Sequence, residues 1–222
     1  MNQPSSVPVI AIDGPTASGK GTVAHKVADR LGFLYLDSGS LYRLTALAAQ
    51  RAGAEPTDEE RVSRLASTLD VRFVNDQVWL AGENVTDAIR TESVGQNASR
   101  VAALPAVRKA LLQRQRDFQT PPGLVCDGRD MGSVVFPDAT IKFFLTASVE
   151  ARAERRTKQL KQKGMSAIMA DVVKELRIRD DRDMTRPVAP LKHYSDAYLI
   201  DTTEISAEDA VEKILSLYRS QR

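Results

Sequence analysis

A run of small residues lies between a predicted strand and a predicted helix near the start of the chain, and it narrows the possible folds more than any other stretch. Apolar residues 9–12 precede it, and a helical pattern over residues 21–31 follows it. The run reads GPTASGKGT and has the spacing G-x4-G-K of a phosphate loop. In such a loop, small residues let backbone N–H groups face an anion, and the next helix directs its positive end at the same point. The predicted phosphate contacts are Gly14, Pro15, Thr16, Ala17, Ser18, Gly19, Lys20, Gly21 and Thr22.

A dinucleotide-binding turn is the rival interpretation of the same letters. Residues 19–24 read GKGTVA, which matches G-x-G-x-x-A, and Asp37 lies at about the distance of a ribose-binding carboxylate. In that fold, however, the first glycine follows the strand closely, whereas residues 13–18 intervene here. A lysine inside the turn is also typical of a phosphate loop. The pattern therefore favours a phosphate loop over a dinucleotide turn or a purely structural glycine turn.

Length and composition indicate a soluble, globular α/β protein. The 222 residues suit one domain with small inserted subdomains, and 42% of them are hydrophobic. Residues 1–8 lack the apolar core of a signal peptide, and no apolar run approaches the ~18 residues of a membrane helix. The single cysteine, Cys126, excludes an internal disulfide bond and fits a reducing compartment. We therefore expect a cytoplasmic protein without membrane contact.

The charge of the chain is unevenly distributed. The formal net charge is only +2, which gives no general signal of nucleic-acid binding. Residues 151–187, however, contain 11 Lys and Arg against 6 Asp and Glu, which is a local net charge of +5. A basic arm on a near-neutral body suggests a small polyanionic ligand, and a solvated helix pair would explain the same charges.

Short apolar runs alternate with amphipathic helical patterns along the chain. This alternation predicts a central parallel sheet covered by helices on both faces. Residues 69–82 break the alternation, because apolar and polar residues follow each other there around Asn75 and Asp76. That pattern predicts an antiparallel hairpin in an insert of about residues 69–89. The predicted strands of the parallel sheet are residues 9–12, 33–36, 124–126, 141–145 and 197–200.

Capping residues mark several helix boundaries. Thr57 and Ser206 each precede a carboxylate by three residues, which predicts a capping box at both positions. Ser148 is the predicted N-cap of a helix over residues 149–163, and Gly164 is its predicted end. These signals predict where the helices begin and end, but not how they pack.

Two polar motifs follow predicted strands of the parallel sheet. LDSGSLYR, residues 36–43, comes at the end of the second strand, and CDGRDMG, residues 126–132, comes at the end of the third. Ligands of open α/β sheets bind beyond the carboxyl ends of the strands, so both motifs are expected to face the phosphate loop. A second anion site opposite the loop is what a small-molecule kinase needs. The sequence has no Asn-Lys-x-Asp motif of a nucleotide switch, which also favours a kinase.

An arginine-rich segment supplies further cations. Residues 177–186 read RIRDDRDMTR, and Arg179, Asp183 and Arg186 are spaced to share one face of a helix. Arginine suits bidentate contacts with phosphate, and the proline-containing loop that follows suits a lid. An exposed, salt-bridged helix end is the alternative interpretation.

Together these motifs resemble the bacterial cytidylate kinases, a family of nucleoside monophosphate (NMP) kinases. The resemblance runs from about residue 9 to the C-terminus and rests on GPTASGKGT, LDSGSLYR, IRTESV, CDGRDMGSVVFPDA and RIRDDRDMTRPVAPL. It implies an α/β phosphate-loop kinase with a small antiparallel insert in the NMP-binding region and a short helical lid. The implied reaction transfers a phosphoryl group from ATP to CMP or dCMP with Mg²⁺.

The resemblance also implies a division of the chain. Residues 1–222 would form one cytidylate-kinase domain, with a core of about residues 8–41, 105–150 and 188–222. The NMP-binding region would be about residues 42–104, and the lid about residues 151–187. The implied partners are ATP and CMP or dCMP, without nucleic acid, and the protein is expected to be a monomer.

Roles for individual residues follow from the same resemblance. Asp130 is expected to read cytosine, because a carboxylate accepts a hydrogen bond from the exocyclic amino group that uracil lacks. Arg155 and Arg156 are expected near the adenine of ATP. The implied catalytic residues are Lys20, Arg129, Arg179 and Arg186. The implied CMP contacts are Asp37, Ser38, Tyr42, Arg43, Ser99, Arg108, Arg129, Asp130, Arg179, Asp183 and Arg186.

Three assignments stay open at this point. Gly21 stands where a phosphate loop usually has Ser or Thr, so Thr22 is expected to contact Mg²⁺ through water. Asp127 is either a second water-mediated Mg²⁺ contact or a capping carboxylate. Asp37 is either a substrate contact or a turn former.

Two other functions also stay open. Another small-molecule kinase, such as one that prefers UMP, would use the same loop and lid. A nucleotide-dependent module that binds nucleic acid through the basic arm is the non-enzymatic alternative.

Overall fold

The computed structural model describes residues 7–74, 77–162 and 164–221. The chain divides into two compact units: residues up to Leu36 and from Phe118 onward form the first, and Asp37–Asp117 form the second. The helices are α1 (Lys20–Leu31), α2 (Ser38–Arg51), α3 (Glu59–Ser67), α4 (Glu92–Val101), α5 (Pro105–Arg116), α6 (Val149–Gln162), α7 (Met169–Thr185) and α8 (Ala207–Ser220). The strands are β1 (Val9–Asp13), β2 (Leu34–Asp37), β3 (Val71–Val74), β4 (Gln77–Leu80), β5 (Glu83–Asn84), β6 (Leu124–Gly128), β7 (Ile141–Thr146) and β8 (Tyr198–Asp201). None of the described helices has the length and apolar character needed to cross a membrane.

A five-stranded sheet forms the centre of the first unit. Its strand order is β2-β6-β1-β7-β8, and the pairs β1–β6, β1–β7 and β7–β8 are parallel. Every residue of β1 and of β6 is buried, as expected for inner strands of a sheet that is covered on both faces. The predicted parallel sheet is confirmed, with strand ends that differ from the predicted ones by one or two residues.

Helices α1 and α8 pack against each other and complete the core of the first unit. Their buried apolar residues join those of the inner strands in one cluster. Val23 and Val27 of α1, Phe143 of β7 and Ile214 of α8 are all at most 1% exposed in it. Because β1 and α1 are both anchored in this cluster, the loop between them has two fixed ends.

The second unit contains helices α2 to α5 and a three-stranded sheet of order β3-β4-β5. Helix α2 packs against α4, and α3 packs against α5. Strands β3 and β4 pair antiparallel, with Val71 opposite Leu80, which confirms the predicted hairpin. The sequence does not predict β5, since a strand of two residues shows no alternation. The predicted turn residues, Asn75 and Asp76, lie outside the described residues.

Most of the predicted helix boundaries agree with the structure. Ser206 and Asp209 exchange both hydrogen bonds of the predicted capping box at α8. The hydroxyl of Ser148 accepts a hydrogen bond from the first turn of α6, also as predicted. Gly164, the predicted end of α6, has a left-handed φ of +74°. Lys163, the predicted last residue of that helix, lies outside the described residues.

The predicted cap of α3 is wrong. The N-cap is Asp58 and not Thr57, because the Asp58 carboxylate accepts a hydrogen bond from the N–H of Arg61. Two adjacent residues were able to cap this helix. The carboxylate also interacts favourably with the positive end of the helix dipole, which a hydroxyl does not.

A Gly14→Ala substitution tests how closely the start of the phosphate loop passes β7. A Cβ on Gly14 would lie 2.0 Å from the carbonyl oxygen of Leu145. We expect the variant to lose at least about 2 kcal/mol of unfolding free energy in urea, because backbone atoms of β7 must move. Gly21→Ala is the control, since its Cβ would meet Tyr35 at an ordinary 3.6 Å. Equal stability of the two variants would contradict the prediction.

Candidate active site

The phosphate loop, residues 14–19, joins β1 to α1 through two left-handed residues. Ala17 has a φ of +61°, and Gly19, the N-cap of α1, has a φ of +88°. Glycine adopts this conformation without steric cost, whereas it costs other residues about 1–2 kcal/mol. A strained alanine in such a loop is typical of a functional turn, where the backbone conformation is held by its surroundings.

Lys20 lies buried where this loop turns into α1. It is 7% exposed, and its Nζ donates to the carbonyl of Pro15 at 3.0 Å. The loop is anchored further along at Ser18, whose carbonyl accepts a hydrogen bond from the hydroxyl of Thr202. Arg155 of α6 donates in turn to the hydroxyl and to the carbonyl of Thr202. Arg155 is therefore linked to the phosphate loop through Thr202.

Asp13, the last residue of β1, connects the phosphate loop to the turn after β6. Its Oδ1 and Oδ2 accept hydrogen bonds from the N–H groups of Met131 and Gly132, at 2.8 and 2.9 Å. These two residues open a π-helical turn, Met131–Val135, directly after Asp130. Burial raises the pKa of Asp13 to about 6, although the two N–H donors oppose this rise. The sequence motifs do not single out Asp13, because its partners come beside it only when β6 pairs with β1.

A buried ion pair joins the turn after β6 to the segment after α7. Nη2 of Arg186 lies 3.5 Å from Oδ1 of Asp130, and each side chain is 3% exposed. The Nε of Arg186 donates to the carbonyl of Ala189 at 2.6 Å. The structure thus brings together two of the predicted site residues that are far apart in the sequence.

The prediction that Arg186 shares a helical face with Arg179 and Asp183 is wrong. Helix α7 ends at Thr185, and Arg186 has an extended backbone with a ψ of +142°. The residue after it is Pro187, whose ring disfavours a helical conformation at the preceding residue. Arg186 therefore leaves the helix, and its side chain pairs with Asp130 instead.

Arg129 connects three parts of the first unit. Its Nε donates to Asp183 of α7 at 2.7 Å, its Nη1 to the carbonyl of Gly128 at 3.1 Å and its Nη2 to the hydroxyl of Thr16 at 2.6 Å. Burial lowers the pKa of Arg129, but Asp183 outweighs this effect and raises it overall. Burial likewise raises the pKa of Asp183, but Arg129 and two further arginines lower it overall. Both partners are therefore charged at neutral pH.

Other predicted substrate residues cluster around α2 in the second unit. Ser38, the first residue of α2, donates to Gln115 of α5 at 3.0 Å. The guanidinium of Arg108 lies over the ring of Tyr42, 5.7 Å from its centroid. Ser99 of α4 is also buried. Gln115 is a partner that the motifs do not reveal, since it lies outside all of them.

Arg43 and Asp37 belong to the same sequence motif but have different surroundings. Nη1 of Arg43 donates to the carbonyl of Ile89 at 2.8 Å. A Cβ on Gly95 would lie 3.1 Å from the guanidinium, so glycine leaves room for it against α4. Asp37 is the N-cap of α2 and accepts from the N–H and the hydroxyl of Ser40, at 3.2 and 2.6 Å. Its carboxylate therefore forms the turn, which is one of the two roles expected of it.

Asp127 and Thr22 offer oxygen atoms near the first turn of α1. Oδ1 of Asp127 accepts from the hydroxyl of Tyr35 at 2.7 Å, and a Cβ on Gly21 would lie 3.9 Å from it. Thr22 is exposed on the same turn of the helix. Mg²⁺ prefers oxygen ligands, usually keeps several waters and is often bound together with substrate phosphates. These two residues fit such an ion. In residues 7–74, 77–162 and 164–221 no group of three or more His, Cys, Asp or Glu is placed to hold a metal.

The remaining residues considered from the sequence lie on helices α6 and α7 of the basic arm, residues 151–187, or in the core. Arg156 on α6 and Arg179 on α7 are half-buried. Cys126 is fully buried in β6, and burial raises the pKa of its thiol. A neutral, buried thiol fits the core role expected for Cys126.

Comparisons with known proteins identify relatives along the whole chain. The family model described as Cytidylate kinase matches residues 10–220. A protein named cytidylate kinase from Chromobacterium violaceum is 58% identical over 217 residues, which are 98% of this chain and 98% of that protein. A protein of the same name from Bordetella bronchiseptica is 56% identical over 97% of this chain and 96% of its own. Among solved structures, an uncharacterized protein from Eubacterium ventriosum has a similar fold, with a TM-score of 0.50 and 14% identity over 96% of this chain and 98% of that one.

An Asp183→Asn substitution tests the ion pair with Arg129. The pKa of Asp183 is lowered from 3.8 in the folded protein, so its charged form stabilises the fold above about pH 4. This contribution is lost as the pH falls below 3.8 through the lower pKa of the folded state. We expect the variant to lose about 3 kcal/mol of unfolding free energy near neutral pH. The difference from the unmutated protein should shrink below about pH 4.

Urea unfolding at a series of pH values measures this difference. Asp181→Asn is the matched control, because Asp181 is an exposed aspartate on the same helix. A difference for Asp183→Asn that stays constant or grows as the pH falls would mean that the ion pair does not stabilise the fold.

Proposed function

This chain belongs to the cytidylate kinase family, and from this membership we infer that it transfers the γ-phosphoryl group of ATP to CMP or dCMP. The products are ADP and CDP or dCDP. The observation that carries the inference is the family match over residues 10–220, with 58% and 56% identity to proteins named cytidylate kinase. The protein is therefore an enzyme, an ATP-dependent kinase.

The phosphate loop is proposed to bind the phosphates of ATP. The backbone of residues 14–22 and the N-terminus of α1 offer N–H donors and the positive end of a helix dipole. Lys20, the first residue of α1, adds a cation beside the loop, where a phosphate oxygen can replace the carbonyl of Pro15 as its acceptor. Arg155 and Arg156 of α6 are proposed to contact the adenine, which is supported by the link from Arg155 through Thr202 to the loop.

The proposed catalytic residues neutralise charge on the transferred group. A phosphate oxygen of CMP forms a bond to the γ-phosphorus, while the bond from that phosphorus to the β–γ bridging oxygen breaks and ADP leaves with the electron pair. The protein has little covalent chemistry to perform, so positioning and charge neutralisation supply most of the catalysis. The residues proposed for this role are Lys20, Arg129, Arg179 and Arg186.

This role is supported by the way in which two of the arginines are held. Arg129 is paired with Asp183 and Arg186 with Asp130 within the first unit. Each guanidinium is therefore oriented before any substrate binds, and little reorganisation is needed during the reaction.

Asp130 is proposed to read the base of CMP. Its carboxylate is buried, and the backbone of the turn after it is fixed by Asp13. A carboxylate accepts a hydrogen bond from the amino group of cytosine, whereas uracil presents a carbonyl oxygen at that position. The other proposed CMP contacts are Ser38, Tyr42, Arg43, Ser99, Arg108, Arg129, Arg179, Asp183 and Arg186. Asp37 is proposed as a further contact, in addition to its role in the turn at the start of α2.

Mg²⁺ is proposed to accompany ATP, with Thr22 and Asp127 as its water-mediated protein contacts. When bound, the ion would offset negative charge on the nucleotide phosphates. Tyr35 donates a hydrogen bond to Asp127 and so orients its carboxylate.

The division into core, NMP-binding region and lid, the monomeric state and the cytoplasmic location stay predictions from the sequence.

An acceptor panel tests the proposed function. ADP release, coupled to NADH oxidation, is measured with Mg·ATP and CMP, dCMP, UMP, AMP, GMP or shikimate. We expect kcat/KM for CMP and dCMP to exceed the values for the other acceptors by at least about a hundred-fold. A preference for UMP would mean that the protein is a kinase with an acceptor other than CMP or dCMP. No acceptor-dependent ADP, together with salt-dependent binding to RNA or DNA, would favour the nucleic-acid-binding alternative.

An Asp130→Asn substitution tests the reading of cytosine. Asparagine has the same size, but its amide can also donate to the carbonyl oxygen of uracil. We expect the ratio of kcat/KM for CMP to that for UMP to fall at least about ten-fold. Asp138→Asn, at an exposed position in the same loop region, should leave the ratio unchanged. An unchanged ratio in Asp130→Asn would remove Asp130 from base recognition.

A further inference from the structure

Arg152 of α6 is a buried residue that none of the sequence motifs includes. It is 6% exposed. Its Nε donates to the carbonyl of Ala147 at 3.1 Å, and its Nη1 donates to the carbonyl of Thr16 at 3.1 Å. The same Nη1 lies 2.6 Å from Oδ2 of Asp180 in α7. One guanidinium therefore contacts the start of α6, the phosphate loop and α7.

Thr16 contacts a second arginine as well. Its hydroxyl accepts from Arg129 at 2.6 Å, while its carbonyl accepts from Arg152. Arg129 pairs with Asp183, and Arg152 pairs with Asp180. The two aspartates are three residues apart on α7 and lie on one face of it. The contacts therefore form a closed set, which we call the Thr16 circuit and which consists of Thr16, Arg129, Asp183, Asp180 and Arg152.

Burial makes the Arg152–Asp180 pair different from a surface ion pair. Asp180 is 8% exposed, and its Oδ1 has no hydrogen-bond partner within the described part of the chain. Loss of Arg152 would leave this carboxylate buried without its hydrogen-bonded cation, which is costly. Arg177 and Glu150 also connect α7 to α6, but their side chains are 64% and 65% exposed and 3.8 Å apart. The two pairs join the same helices and differ in burial.

We propose that Arg152 is a positioning residue for phosphoryl transfer. It holds the phosphate-loop backbone at Thr16 and, through Asp180, aligns α7 with the loop. Asp183 and Arg129 are then held in place relative to the phosphates. This role rests on the proposed kinase function, in which a displacement of about 1 Å at the reacting groups is enough to cost a large factor in rate.

Arg152→Lys is the first test of the proposal. Lysine keeps the charge that Asp180 needs, but its single ammonium cannot reproduce the planar fork that spans three partners. We expect the variant to fold, with a urea midpoint near that of the unmutated protein, and to lose about ten-fold or more in kcat/KM for ATP. Arg177→Lys is the matched control and should leave kcat/KM for ATP unchanged. Equal kcat/KM in Arg152→Lys and the unmutated enzyme would overturn the proposal.

Thr16→Val separates positioning from a general loosening of the fold. Valine keeps the backbone carbonyl and removes the hydroxyl that accepts from Arg129. If Arg152 acts through the Thr16 circuit, the losses in kcat/KM for ATP do not multiply when Arg152→Lys and Thr16→Val are combined. The double variant then has a kcat/KM close to that of the worse single variant. Losses that multiply would overturn the proposal. If Arg152→Lys does not fold, Asp180→Asn replaces it, because asparagine keeps an acceptor oxygen for Arg152. Losses that do not multiply with those of Thr16→Val again support the proposal, and losses that multiply overturn it.

ATP affinity distinguishes a failure of this proposal from a failure of the proposed function. Calorimetry with Mg·ATP and without an acceptor measures binding to the loop independently of CMP. If the unmutated protein releases no CMP-dependent ADP, the kinase assignment fails. A loss of ATP affinity in Arg152→Lys but not in Arg177→Lys still supports the positioning role in that case, and equal affinities overturn it.

Discussion

Positive charge is buried beside the phosphate loop, and the way in which it is paired organises the first unit. Binding of phosphates calls for cations in a place with little water, whereas an unpaired buried charge destabilises the fold. In the first unit, two buried arginines and the half-buried Arg129 are paired with aspartates. These pairs are Arg129–Asp183, Arg152–Asp180 and Arg186–Asp130. Stability of the fold and orientation of the cations therefore depend on the same contacts.

The parallel sheet provides the frame for these pairs. Because β1 lies between β6 and β7, the loops after β1 and β6 leave the sheet at the same edge. Asp13 joins them, since its carboxylate at the end of β1 binds the N–H groups of Met131 and Gly132 after β6. The turn that carries Asp130 is thus fixed by the strand that carries the phosphate loop. The carboxylate of Asp13 therefore links the phosphate loop to Asp130, which is proposed to bind the base of CMP.

Two arginines of the second unit contact a carbonyl and an aromatic ring. Arg43 donates to the carbonyl of Ile89, and Arg108 lies over the ring of Tyr42. Contacts of these kinds hold a guanidinium in a defined orientation. A guanidinium that is already oriented needs little rearrangement to bind a phosphate, which supports the proposed role of both residues in binding CMP. The small size of Gly95 is part of this arrangement, because a side chain there would press on Arg43.

Elements whose causes are local can be predicted from the sequence. The apolar run and small residues around the phosphate loop, the caps at Ser148 and Ser206, and the alternation in the hairpin all act over a few residues, and the structure bears them out. The motifs also predicted the family, because each carries chemistry within a short stretch. Sequence spacing placed Arg186 on a helical face, although Pro187 ends the helix before it.

The partner of each buried charged group depends on the tertiary structure. Asp13 lies 118 residues from Met131, and Arg152 lies 136 residues from Thr16. Nothing in the spacing of a chain specifies such partners, because they depend on the order of the strands in the sheet and on how α6 and α7 pack. A buried charge destabilises the fold unless its partner is also in place, so the packing of the whole fold determines the pairs. The sequence supplied the charged residues, and packing assigned each one its partner.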